Sequence, residues 1–148
     1  MENSRELINE LIVDIFWKIL MMQEEAIRSK GVSLSITEMH TLEAIDKAKE
    51  NNKMSDIASD LNVTASTLSI NITRLVKKGY VQKVRAEHDR RVTHLQLTDK
   101  AHDALQVHHL FHEELIDSLI SDLKVNEDKV LIESLNNVLV HLRQIQMK

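Results

Sequence analysis

No proline interrupts this chain, and two glycines, Gly31 and Gly79, are its only residues free of a side chain. Folds built from many tight turns are therefore out of reach, because hairpins and β-turns draw their special backbone angles from those two residue types. What remains is a succession of helices with few breaks. Hydrophobic residues make up 43% of the 148, too many for a disordered chain and enough to fill a real core. We expect a mainly α protein, with a single domain over 1–148.

Cysteine is absent. That excludes disulfides, thiolate zinc sites and cysteine catalysis, and it fits a reducing cytoplasm. The apolar N-terminal stretch is interrupted by Glu10, Asp14 and Lys18. It has neither the unbroken span of a membrane helix nor the layout of a signal peptide, so no membrane insertion is expected.

Between Leu7 and Leu20 the apolar residues fall at 7, 8, 11, 12, 15, 16, 19 and 20, one broad stripe on a helix. Gly31 is placed to end that helix and Ser35 to cap the next, which would bury Ile36, Met39, Leu42 and Ile45 and stop near Lys49–Lys53. The segment Met54–Gly79 then reads as two short helices about a tight turn. Ser55 caps the first, Asn62 and Val63 turn the chain, and Thr64 caps the second. In the second helix Ala65, Leu68, Ile72, Leu75 and Val76 face inward, while Ser66, Thr67, Ser69, Asn71 and Arg74 face out. Exposed helices usually favour Glu and Lys, which form helix better. Small hydroxyls, an amide and an arginine suit close approach to base edges instead.

Two β-branched-rich strands follow, Tyr80–Arg85 and Val92–Leu97, joined by a charged loop. A hairpin directly after a base-reading helix is a wing, whose arginines can enter a minor groove; Asp89 is placed to pair with Arg91. The net charge of −4 hides a local patch: Arg74–Lys100 sums to +5 and the rest of the chain to −9. A basic run alone is usually a solvated face. Behind a helix-turn-helix it becomes a footprint for a polyanion, and the DNA-reading module is assigned to residues 54–97.

Thr98 caps a long helix to about Asp122, and another begins near Asn126 and runs to the C-terminus. In the latter, Leu131, Leu135, Val138, Leu142 and Ile145 step by 4, 3, 4, 3, a seam that wants a partner helix. The terminal helices, 5–30 and 99–147, carry more apolar surface than the lobe at 36–97 needs. A homodimer is the expected outcome.

The order helix, helix, helix-turn-helix, wing, two long helices resembles the MarR family of bacterial transcription regulators over essentially the whole chain. The most specific strings are Leu75-Val76-Lys77-Lys78-Gly79-Tyr80, Arg85, Asp89-Arg90-Arg91 and Leu95-Gln96-Leu97-Thr98. The resemblance implies a winged helix-turn-helix fold, a double-stranded DNA partner and an Arg91 that enters the minor groove. Lys78 is expected with Arg74 on phosphates, and Arg85 and Arg90 beside them.

Within the family, Glu38-Met39-His40-Thr41, Val84–Leu95 and Phe111-His112 are similar to its FabT-type branch, repressors of fatty-acid synthesis genes. That likeness implies a long-chain acyl group on acyl carrier protein as corepressor, with no cofactor required. Phe16, Leu20, His40, Leu105, His108, Phe111 and His112 are the candidate effector pocket.

His108 and His112 lie one helical turn apart on a mostly apolar face, a spacing at which two imidazoles can share a metal. Together with His40 they are similar to positions used by the family's zinc-sensing branch, and Glu24 would complete such a site. A zinc-responsive repressor of metal uptake is thus the alternative reading; a helical dimerisation or adaptor module is the alternative outside DNA binding. An enzyme is not expected. His112-Glu113 would need a second histidine where Ile116 stands, and no phosphate-cradling glycine loop is present.

Overall fold

The computed structural model describes residues 2–145. Its elements run α1 (Glu2–Glu10), a π-helical turn (Leu11–Ile15), α2 (Phe16–Ser29), α3 (Ile36–Ala48), α4 (Met54–Asp60), α5 (Ala65–Lys77), β1 (Val81–Arg85), β2 (Thr93–Leu97), α6 (Asp99–Leu123), a 3₁₀ turn (Val125–Glu127) and α7 (Lys129–Gln144). Residues 146 and 147 of the expected terminal helix lie outside the described residues. The described residues divide into two compact units, one up to His109 and one from Leu110, with α6 passing through the boundary. The N-terminal helix groups with the winged lobe in the first of these units.

The π turn has a cause in the sequence. A stripe repeating every four residues drifts by about 40° per repeat on a helix of 3.6 residues per turn. The wider winding at Leu11–Ile15 takes up part of that drift. Beyond it, α2 sinks Gln23 and Ile27 into the lobe and stops at Gly31, whose φ of +76° only glycine adopts without strain. There the amides of Gly31 and Val32 close onto the carbonyls of Arg28 and Ile27 at 3.0 and 3.1 Å.

Ser35 starts α3 with a reciprocal cap. Its hydroxyl accepts from the Glu38 amide at 3.1 Å, and its own amide donates to the Glu38 carboxylate at 2.9 Å. Met39, Leu42 and Ile45 then face the core. Ile57 of α4, Leu68, Ile72 and Leu75 of α5, Leu95 of β2, and Ala101, Ala104 and Leu105 of α6 close around them. Burying each larger side chain contributes about 1.5–3 kcal/mol against leaving it exposed. This core seats α5 and fixes which of its faces looks outward.

β1 and β2 pair antiparallel, from Val81 opposite Leu97 to Arg85 opposite Thr93. Each strand begins one residue later than expected. Tyr80 is held in the turn that ends α5, its amide on the Leu75 carbonyl at 2.9 Å, and Val92 closes the loop by donating to Asp89 O at 3.0 Å. Thr98 ties the wing to α6: its hydroxyl donates to Gly79 O at 2.8 Å and accepts from the Ala101 amide at 3.3 Å.

The second unit comprises the remainder of α6, the 3₁₀ turn and α7. Asp128 caps α7 by accepting from the Leu131 amide at 3.0 Å. The predicted seam stands open to solvent along the helix, with Leu135, Val138 and Leu142 each more than half exposed. Leu7, Ile8, Leu11 and Ile12 stand equally open on the N-terminal helix. No helix among the described residues is long and apolar enough to cross a membrane.

Candidate nucleic-acid interface

The helix-turn-helix is built on two local devices. Asn62 takes the left-handed conformation, φ +53°, that ends α4 and turns the chain, and the Val63 amide reaches back to Ala58 O at 3.0 Å. Thr64 then caps α5, accepting from the Thr67 amide at 3.1 Å while its own hydroxyl donates to Thr67 Oγ1 at 2.9 Å. The expected cap at Ser55 is not formed. Lys53 is bridged to His94 of the wing in extended conformation, so α4 begins immediately after it, at Met54, and Ser55 lies inside the first turn.

Leu68, Ile72 and Leu75 are the buried face of α5. Ala65 and Val76, expected beside them, are exposed. Ala65 opens the helix at the mouth of a cleft of about 270 Å³ shared with Met54, Arg91 and Thr93, and Val76 is one step, about 100°, past the buried Leu75. The outward face carries Ser66, Ser69, Ile70, Thr73, Arg74 and Lys77, with Thr67 exposed at its N-terminal end. Ile70 was missed by sequence reasoning, which sought polar readers; its i+4 spacing from Ser66 was the available signal. An exposed isoleucine among hydroxyls offers an apolar contact of the kind a thymine methyl accepts.

Two of the expected DNA contacts have partners within the protein. Asn71 is half-buried, and its amide donates to Thr41 Oγ1 of α3 at 2.7 Å; Thr41 in turn donates to Thr37 O at 2.9 Å. Because Thr41's proton is already committed, its oxygen can only accept, which fixes the amide end of Asn71 toward α3. Lys78 is also occupied. Its ammonium lies 2.8 and 3.0 Å from the two Glu38 oxygens and donates to Ser33 O at 3.1 Å. Burial by itself would raise the Glu38 carboxyl; the Lys78 ammonium and the Ser35 amide outweigh it and hold the group below its ordinary value. The recognition helix is thereby pinned to α3 at its middle and just beyond its end.

In the wing, one Asp89 oxygen accepts from the Arg91 amide at 3.0 Å and from Arg91 Nε at 3.3 Å. The Arg91 side chain is 92% exposed. Arg85 and Arg90 are exposed beside it, on the last residue of β1 and in the loop. The wing is anchored at its base, where the Leu95 amide donates to Asn52 O at 2.9 Å and His94 Nδ1 lies 2.7 Å from Asn52 Oδ1. Lys100, counted in the basic patch, instead donates to Lys78 O at 2.8 Å and sits 4.5 Å over the Tyr80 ring.

The expected effector residues fall in both units. Leu105 and His108 are buried, Leu20 is half-buried, and Phe16 and His40 are exposed in the first unit. Phe111 and His112 belong to the second, their ring centroids 5.5 Å apart. Of the expected metal ligands, His40 and His108 come together, but the carboxylate that joins them is Glu43. One ligand atom from each of these three lies within 4.8 Å of the others. Glu24 instead lines a groove with Arg28, Ser33 and Lys78. The missed signal was the i, i+3 spacing of His40 and Glu43, which puts both on one face of α3.

Comparison with known proteins agrees with this geometry. Residues 34–101 match the winged helix DNA-binding domain family. The structure of Streptococcus pneumoniae FabT in complex with DNA superposes with a TM-score of 0.81 at 32% identity, over 96% of this chain and 99% of that one. The Staphylococcus aureus MepR–DNA complex shares the fold, with a TM-score of 0.70 at 19% identity over 90% and 98%. Among curated proteins, the transcriptional repressor MprA of Escherichia coli K12 is 25% identical over 95% of this chain and 79% of its own length. With a FabT relative matched at that identity end to end, and a capped helix-turn-helix and anchored wing in place, the chain belongs to the MarR family of winged helix-turn-helix transcriptional regulators.

Proposed function

We propose that two copies of this chain bind a pseudo-palindromic operator in double-stranded DNA, one α5 in each of two major grooves whose centres stand about one helical turn, ~34–36 Å, apart. The observation that carries this reading is the outward face of α5, hydroxyl-rich and flanked by Arg74, with the Asp89-braced Arg91 on the wing beside it. Ser66, Thr67, Ser69 and Ile70 meet base edges, Arg74 and Lys77 meet phosphates, and Arg91 enters the minor groove with Arg85 and Arg90 flanking it. The open apolar rows on α1 and α7 supply the surface on which the copies pair.

The genes governed are those of fatty-acid synthesis, and the corepressor is a long-chain acyl group borne on acyl carrier protein. The support for this finer reading is the FabT-type strings of the sequence together with the 32% identity to FabT. Such a corepressor acts only through a higher affinity for the DNA-competent form of the dimer than for its alternatives.

One operator titration, read by fluorescence anisotropy with acylated carrier protein, free carrier protein or neither, tests both levels. The acylated form should tighten binding and the free form should not. Equal curves would overturn the lipid reading and leave the DNA reading standing, whereas absence of specific binding in all three would overturn both.

A further inference from the structure

The seam between α3 and the first turns of α6 gathers three of the chain's eight imidazoles around one carboxylate. His108 is 1% exposed, and its Nδ1 lies 3.1 Å from Glu43 Oε1. His109 Nε2 approaches the same oxygen at 3.7 Å. The His40 ring stands edge-on to that of His108, centroids 5.9 Å apart. His40 and Glu43 share a face of α3, and His108 projects from α6, so two elements distant in sequence are joined here. An apolar seam would be served by aliphatic side chains at lower desolvation cost.

The geometry points to a binding site for a divalent first-row transition ion, with His40, Glu43 and His108 as protein ligands and His109 or water in the fourth position. Two imidazoles and a carboxylate are a donor set suited to zinc and its neighbours, and poorly suited to calcium or magnesium, which prefer all-oxygen shells. The spacing is close to what is required. Ligand atoms at ~2.0–2.1 Å from a tetrahedral zinc stand about 3.4 Å from one another, and the His108–Glu43 separation is 3.1 Å. The three ligand atoms all fall within 4.8 Å, so rotation of the exposed His40 side chain has at most ~1.4 Å to close. The partial exposure of the cluster at His40 and Glu43 gives the ion a way in, while burial of His108 shields it from solvent.

This ligand set differs from the one the family likeness implies: it uses Glu43 in place of Glu24 and does not call on His112. It also has a consequence for α5. The bound ion ties α3 to α6, and α3 holds the recognition helix through Thr41–Asn71 and Glu38–Lys78. Ion occupancy therefore stiffens the seat of α5 and changes operator affinity. This last step rests on the DNA-binding reading; the site itself does not.

The test uses the full chain without any affinity tag, stripped by chelator and titrated with Zn²⁺ against a chromophoric competitor. One ion per chain is expected, with proton release on binding and, for Co²⁺ in its place, the visible absorption of a tetrahedral site. His40→Ala, which removes an exposed side chain and leaves the core intact, and Glu43→Gln should each weaken Zn²⁺ binding by about 10–100-fold. Glu24→Ala and His112→Ala should leave it unchanged. Absence of binding, or binding insensitive to His40→Ala and Glu43→Gln, overturns the site, and so does loss of the ion in Glu24→Ala. An operator titration with and without Zn²⁺ then reads the coupling, which equal affinities would overturn. A protein that binds zinc but no operator under either condition overturns the regulator reading and not the site.

Discussion

Arg91 reaches into solvent from a loop, yet its backbone amide and its Nε share one oxygen of Asp89. An exposed pair of this kind contributes little to stability. Its effect is to hold a long side chain extended before DNA arrives. Arg91→Ala should weaken operator binding and lower the salt dependence of log K by about one charge's worth, with folding unaffected. An unchanged slope in a titration over salt would remove Arg91 from the interface. Glu38 behaves differently, because its carboxylate is buried and doubly engaged. With its folded value held below the ordinary 4.5, its contribution is complete above that value and is lost as pH falls through the lower one. Glu38→Gln should cost about 1–2 kcal/mol at neutral pH, discounted because Lys78 is partly in water, and the difference from the parent should shrink in acid. Urea midpoints at neutral pH and well below 4.5 check this; a gap that widens in acid would contradict it. The Asp89–Arg91 pair was legible in the sequence because its partners are two residues apart. Lys78–Glu38 was not, since forty residues separate the two and only the packed fold brings them together.

At the level of elements, the caps at Ser35 and Thr64 and the turn at Asn62 were readable for the same reason of locality. Ser55 misled because the start of α4 is set by tertiary pairing of Lys53 with the wing, which no local pattern announces. Asn71 was placed among the base readers by its residue type, and its position on the inner edge of α5 appears only once α3 is packed beneath it. The consequence can be measured. Thr41→Val keeps the shape of the side chain and deletes the acceptor, which should cost about 1 kcal/mol of stability. It should also lower affinity alike for all operator variants, as expected of a residue that positions the helix. A shift in base preference would instead return Asn71 to the reading face.

On the scale of the molecule, the open apolar rows on α1 and α7 are a demand that the described residues of the single chain leave unsatisfied. At ~25 cal/mol per Å² of apolar surface, pairing on such rows is a main source of stability for an assembly. Leu142→Lys should therefore yield monomers at concentrations where the parent is dimeric, as read by light scattering, and weaken operator binding with them. An unchanged mass would move the dimer contact elsewhere. The π turn at Leu11–Ile15 bears on the same surface. In an ordinary helix, removing one residue swings everything beyond the gap by about 100°; in α5 that would turn Ser66 away from Arg74. A π turn is a helix holding one residue more than its α winding needs. The N-terminal helix thus carries slack of one residue: loss of Val13 would let it rewind as uninterrupted α-helix with Leu7 and Leu20 still in step, a deletion absorbed like a spare link taken from a chain.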